Sequence, residues 1–160
     1  MNRREVTDIK PVYISADRMK EAREVKGISL NRLAQIVGIT YRTAINIEKG
    51  RKSCSPFVLR DIARELGVST DWLLELSEKK ELEQTTADAD ALNGRFLNVR
   101  FIRTETGTKQ ELADKIGISA YSWNRYETGD SFPTMNKLVL ICDSLDISSD
   151  YLLGLSDAEQ

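Results

Sequence analysis

Apolar residues recur along this chain at spacings of three and four, and no strand-like alternation persists beyond a few residues. That period predicts short amphipathic helices throughout. Leu30, Leu33, Ala34 and Val37 mark one helix, opened by Ser29 and closed by Gly38. Serine and threonine suit such openings because their side-chain oxygens accept a free backbone N–H of the first turn. Glycine suits the closings because it enters the left-handed region without a Cβ clash. By the same signals Ser15 opens a helix to about Lys26, ended at Gly27, and Thr40 opens one through about Lys49, stopped by Gly50. Ser55, with Pro56 at the first helical position, opens a fourth that buries Leu59, Ile62, Ala63 and Leu66 before Gly67. Ser69 opens a last short helix carrying Trp72, Leu73 and Leu76.

The pattern then repeats. Shifted by 79 residues, Ser29–Ser77 aligns with Thr108–Ser156 without a gap. The identical pairs include Leu33/Leu112, Gly38/Gly117, Glu48/Glu127, Gly50/Gly129, Ile62/Ile141 and Leu73/Leu152. They fall on apolar faces and turn glycines, where a shared fold would hold them. Upstream the register slips by two, so that Arg18 and Arg23 match Arg95 and Arg100, with an insertion near Arg103–Gly107. Thr108, Ser119, Thr134 and Ser148 are the second set of caps, and Thr108-Lys-Gln-Glu111 has the form of a capping box. The expected architecture is all-α: two tandem five-helix domains at 14–77 and 93–156. An N-terminal arm (1–13), a polar linker (78–92) and a short tail (157–160) complete it.

Composition narrows the function more by exclusion than by motif. No stretch approaches the ~18 apolar residues of a membrane span. The segment MNRREVTDIK does not read as a signal peptide, so the expected compartment is the cytoplasm. The sequence contains no histidine, the commonest metal ligand and acid–base catalyst. Cys54 and Cys142 lie far apart, in no metal-ligand spacing. No cofactor, metal or enzymatic chemistry is expected. The net charge of −2 conceals an asymmetry: residues 1–80 carry 16 basic and 11 acidic residues, whereas residues 81–160 carry 7 and 14.

A short second helix, a glycine turn and a short third helix ending in Glu-x-Gly form a specific combination. The run RMKEAREVKGISLNRLAQIVGITYRTAINIEKG resembles the Cro/cI repressor, or Xre, family of helix-turn-helix domains, and so does RFLNVRFIRTETGTKQELADKIGISAYSWNRYETGDSFP. The endings STDWLLELS and SSDYLLGLS fit that family's last helix. The resemblance implies two lambda-repressor-like domains and a DNA-binding transcriptional regulator, expected to be a repressor. Its partner would be double-stranded DNA, with the third helix in the major groove.

Carried over by position, that resemblance makes Tyr41, Arg42 and Asn46 the base readers of the first copy, and Ala120, Tyr121 and Arg125 those of the second. Arg42 can present paired donors to guanine, and Asn46 can pair with adenine. Ser29, Thr40, Thr43, Lys49, Arg51, Lys52 and Lys109 fall where phosphates should run. The resemblance also implies structural ion pairs between Arg23 and Glu48 and between Arg100 and Glu127. Leu30 stands where the family often has Gln, which removes the usual contact there.

Several readings stay open. Arg18–Lys52 holds nine basic and three acidic residues, whereas Arg95–Ser131 holds six and five. The second copy is therefore either a weaker DNA reader or a module for self-association or a protein partner, with Phe132 as an apolar anchor. A mobile-element protein that engages another macromolecule through this fold is a third reading. Trp123, aligned with Ala44, fills a remodelled core or is exposed to a partner. Trp72 and Tyr151 pack at the core or domain edge, or bind. Cys142, aligned with Ala63, reads as a small buried residue, and Cys54 as a loop thiol or a redox-sensitive contact. Arg3, Arg4 and Lys10 form a minor-groove arm or a frayed terminus. Extended, the fifteen-residue linker spans up to ~50 Å, enough to cover the ~34 Å between successive major-groove faces.

Overall fold

The computed structural model describes residues 11–83 and 107–156. The chain divides into two compact units, with one boundary between Glu83 and Gln84. The described residues of the first unit, 11–83, form five helices: α1 (Ala16–Lys26), α2 (Leu30–Val37), α3 (Tyr41–Glu48), α4 (Pro56–Leu66) and α5 (Thr70–Leu73). Those of the second unit form α6 (Lys109–Ile116), α7 (Ala120–Thr128), α8 (Met135–Leu145) and α9 (Ser149–Leu152). The helices α6, α7, α8 and α9 begin 79 residues after α2, α3, α4 and α5, so the sequence register is also a structural register. The first helix expected of the second copy, with Arg95 and Arg100, lies outside the described residues.

Each helix end has a chemical cause. Ser29, Thr40, Ser55 and Ser69 accept from the backbone N–H three residues on, as do Thr108, Ser119, Thr134 and Ser148. Glu111 also reaches back to the Thr108 N–H at 3.0 Å, completing the capping box. Ser15 departs from this scheme: its side chain makes no capping bond. Instead its N–H donates to the Leu73 carbonyl at 2.8 Å, which ties the entry of α1 to the end of α5.

The core of the first unit is Met19, Leu33, Ile47, Leu59, Ile62 and Leu73, one or two side chains from each helix. In the second unit Leu112, Leu138, Ile141 and Leu152 fill the places of Leu33, Leu59, Ile62 and Leu73, joined by Ile116 and Trp123 where the first unit has Val37 and Ala44. Trp123 is fully buried and settles as core, as does Cys142. Leu76 lies beyond α5 and is 46% exposed, so it is not part of the last helix's buried face.

Residues 78–83 behave differently from a linker. Ser69 donates to the Lys80 carbonyl at 2.9 Å, and Val68 bridges Glu81. Arg18 holds Glu78 at 2.9 Å, and Lys80 holds Glu21 at 2.7 Å. The indole of Trp72 lies 5.4 Å below the Arg18 guanidinium and 5.1 Å from the Lys80 ammonium. This segment is a clasp over α1 and α5, so the first unit runs six residues past the expected boundary at Ser77.

Candidate nucleic-acid interface

The α2–turn–α3 segment is rigid at its turn and its two caps. Gly38 ends α2 with φ +80° and Thr40 opens α3 two residues later, so the direction change is completed in three residues. The Thr40 hydroxyl also donates to Thr43 Oγ1 at 2.9 Å. The hydroxyls of Ser29, Thr40 and Thr43 are therefore engaged in capping, which orders the helix starts where those residues are expected to meet phosphate.

Arg23 and Glu48 fix α3 against α1. The guanidinium makes a two-pronged contact, Nε to Oε2 at 2.8 Å and Nη2 to Oε1 at 2.9 Å, and donates a third bond to the Ile28 carbonyl at 3.0 Å. Both side chains are mostly buried, at 16% and 11% exposure. Hydrogen bonding to Glu48 raises the Arg23 pKa still further, against the opposing effect of burial, so the guanidinium stays charged. It is a structural device, leaving the outer face of α3 to other residues.

That outer face carries Tyr41 and Arg42, both exposed in the first turn, and Asn46 one turn on from Arg42, half-buried. Residues four apart share a helix face, so Arg42 and Asn46 are presented together. At the far end the chain folds back, because the N–H groups of Arg51 and Lys52 donate to the Asn46 carbonyl at 2.8 and 3.2 Å. This plants two cations beside Lys49 at the end of α3.

The electrostatics separate structural from available charge. Of the basic residues between Arg18 and Lys52, four are in ion pairs: Arg18, Lys20, Arg23 and Lys26. Among the described residues the other five, Arg32, Arg42, Lys49, Arg51 and Lys52, have no carboxylate partner, and all five are exposed. They lie on α2, on α3 and in the loop that follows it. In the sequence Arg32 counts only toward the net charge of this stretch; its place just inside the Ser29 cap is the signal that could single it out.

The second unit lacks this field. At the matching positions stand Glu111, Tyr121, Thr128, Asp130 and Ser131. Its other cations near α7 are engaged. Lys109 reaches Glu127 at 3.2 Å and also bonds Asn124, so its ammonium is engaged by two side chains of its own unit. Arg125 donates to the Asp130 carbonyl at 3.2 Å and lies 5.9 Å over the Tyr121 ring. Ala120 is half-buried, whereas Tyr121 is 71% exposed. Glu127 also accepts from Trp123 Nε1 at 2.9 Å, an interaction that Ala44 cannot make with Glu48. Arg100, the partner expected for Glu127, lies outside the described residues.

The remaining candidates recede. Burial pushes the Cys54 thiol up to about 12, so it stays protonated and weakly nucleophilic at neutral pH, as befits a loop thiol. Among the described residues no group of three His, Cys, Asp or Glu side chains is placed to hold a metal ion, and no helix is long and apolar enough to cross a membrane. Residues 1–10, with Arg3, Arg4 and Lys10, lie outside the described residues.

Comparison with known proteins agrees with this geometry for the first unit. Residues 19–73, about a third of the chain, match the helix-turn-helix family model. The chain is 51% identical over 47 residues to the cryptic phage CTXphi transcriptional repressor RstR of Vibrio cholerae, a match that covers 29% of this chain and 42% of that protein. It is 44% identical over 50 residues to the HTH-type transcriptional regulator YobD of Bacillus subtilis, covering 31% and 45%. YqaE, another such regulator of Bacillus subtilis, is 44% identical over 46 residues, covering 29% and 40%. The matches thus span less than half the length of these relatives. No solved structure matches the chain. The matched segment runs from α1 to α5, and what it is similar to is a helix-turn-helix domain.

Proposed function

We propose that the helix-turn-helix domain of residues 19–73 makes this chain a sequence-specific DNA-binding transcriptional regulator, acting as a repressor, with the first unit as its reader. The observation that carries the reading is the set of five exposed cations around α2 and α3 that have no carboxylate partner among the described residues. Lys49, Arg51 and Lys52 meet phosphates, supplying affinity that does not depend on sequence. Tyr41, Arg42 and Asn46 enter the major groove, and Arg42 reads a guanine through two parallel donors. The similarity to a phage repressor favours repression by occupancy of an operator.

The second unit is the weaker candidate for a reader. The loss of all five cations at the matching positions supports a role in protein contact instead. Selection of binding sites from a random DNA pool with the full chain supplies the duplex for testing. On that duplex, Arg42→Ala weakens binding by ~1–3 kcal/mol and relaxes the choice at one base position. A fluorescence anisotropy titration giving unchanged affinity and unchanged base preference would remove Arg42 from the reading.

A further inference from the structure

We propose that Ser53 is a positioning residue for DNA binding: its hydroxyl ties the loop after α3 to the N-terminal segment, so that Arg51 and Lys52 meet phosphate from a loop already ordered. This rests on the reading of Lys49, Arg51 and Lys52 as phosphate contacts. Ser53 acts through the two cations that precede it.

The loop is held from two sides. From α3, the Asn46 carbonyl accepts from the N–H groups of Arg51 and Lys52, and the Gly50 N–H donates to the Ile47 carbonyl at 3.0 Å. From the other side, the Ser53 hydroxyl donates to the Val12 carbonyl at 2.5 Å, 41 residues away in sequence. Val12 belongs to an anchored segment. Two residues on, Ile14 is buried at 2% exposure, and the Ser15 N–H is bonded to the Leu73 carbonyl. The loop also lies against the start of α1, since a Cβ at Gly50 would sit 3.9 Å from Ala16 Cβ.

The second unit separates the fold of this loop from the tether. Its loop turns back in the same way, with the Ser131 N–H donating to the Arg125 carbonyl at 3.2 Å, as Lys52 does to Asn46. At the position of Ser53 it has Phe132, which has no hydroxyl to donate. At those of Arg51 and Lys52 it has Asp130 and Ser131. The turn therefore forms without a hydroxyl at this position. Serine stands there in the copy whose loop carries two cations.

The energetic consequence falls on binding. A loop left free must lose conformational entropy when DNA holds it, whereas a loop ordered beforehand has already lost it. The net strength of an ordinary hydrogen bond corresponds to about two- to tenfold in a binding constant. Phosphate contacts carry no base information, so the tether affects affinity and leaves base preference alone.

A double-mutant cycle on the full chain tests this, by fluorescence anisotropy on the duplex selected from the random pool. Ser53→Ala is expected to weaken binding about two- to tenfold with base preference unchanged. Ser53→Thr, which keeps the hydroxyl, should bind as wild type does. In the Arg51→Ala/Lys52→Ala background, adding Ser53→Ala should change affinity by less than about 1.5-fold, because the tether then has no cations to position. A loop that merely stabilises the domain would give the same loss in both backgrounds. That result, an unchanged affinity for Ser53→Ala, or equal losses for Ser53→Ala and Ser53→Thr would each overturn the proposal. Failure of the underlying reading looks different: Arg51→Ala/Lys52→Ala alone would then leave affinity and its salt dependence unchanged, removing the reading and the proposal together.

Discussion

At the scale of single residues, identical side chains do different work according to their neighbours. Arg23 and Arg42 are both first-unit arginines on short helices. Arg23 is locked to Glu48 and to the Ile28 carbonyl, whereas Arg42 is exposed with no carboxylate partner among the described residues. Removing Glu48 strands a mostly buried guanidinium. Glu48→Ala is therefore expected to cost the first unit about 2–4 kcal/mol, read from urea denaturation. Replacing both members with Met should restore much of that stability, because the penalty comes from the unpaired charge and not from the missing attraction. A single variant as stable as wild type would show that the pair carries no structural load. The Arg23–Glu48 pair was legible in the sequence through the family resemblance. The Lys109 contact with Glu127 was not, since it depends on how Trp123 replaces Ala44 and draws Glu127 toward its indole N–H.

At the scale of elements, the helix boundaries were the most readable feature. Cap residues and glycines act locally, over three or four positions, so their signals need no knowledge of the tertiary fold. Gly38 shows the force of this. Its φ of +80° lies in the left-handed region, and a Cβ there would meet nothing within 4 Å. Gly38→Ala is expected to destabilise the first unit by ~1–2 kcal/mol through backbone strain alone. Thermal denaturation measures it, and an unchanged midpoint would mean that the turn relaxes at no cost. Ser15 shows the limit of the same signals, because its entry is fixed by the distant Leu73 carbonyl and not by its own hydroxyl. The clasp at 78–83 was hidden for a related reason. Its acidic, polar composition reads as solvated chain, but Glu78 and Lys80 find Arg18 and Glu21 about sixty residues away in sequence.

At the scale of the whole chain, a near-neutral sum conceals two halves of opposite net charge. The repeat was legible because both copies keep the same core register, and α6–α9 follow α2–α5 at a constant spacing. The proposed division of labour was legible only as a charge trend. It became specific when the structure separated the paired cations of α1 from the unpaired five on α2, α3 and the loop after α3. Scaffold alone does not assign function, so the claim rests on this surface. Binding to DNA releases counterions in proportion to the phosphates neutralised, and the salt dependence of affinity counts those phosphates.

The most direct test of the central claim is therefore the log–log slope of affinity against salt for the full chain. It is compared with two variants, Lys49→Ala/Arg51→Ala/Lys52→Ala in the first unit and Lys115→Ala/Lys137→Ala in the second. The account predicts that the first variant flattens the slope by about 2.7, near 0.9 for each phosphate no longer neutralised, while the second leaves it unchanged. A slope that survives the first variant and falls with the second would contradict the assignment of DNA to the first unit.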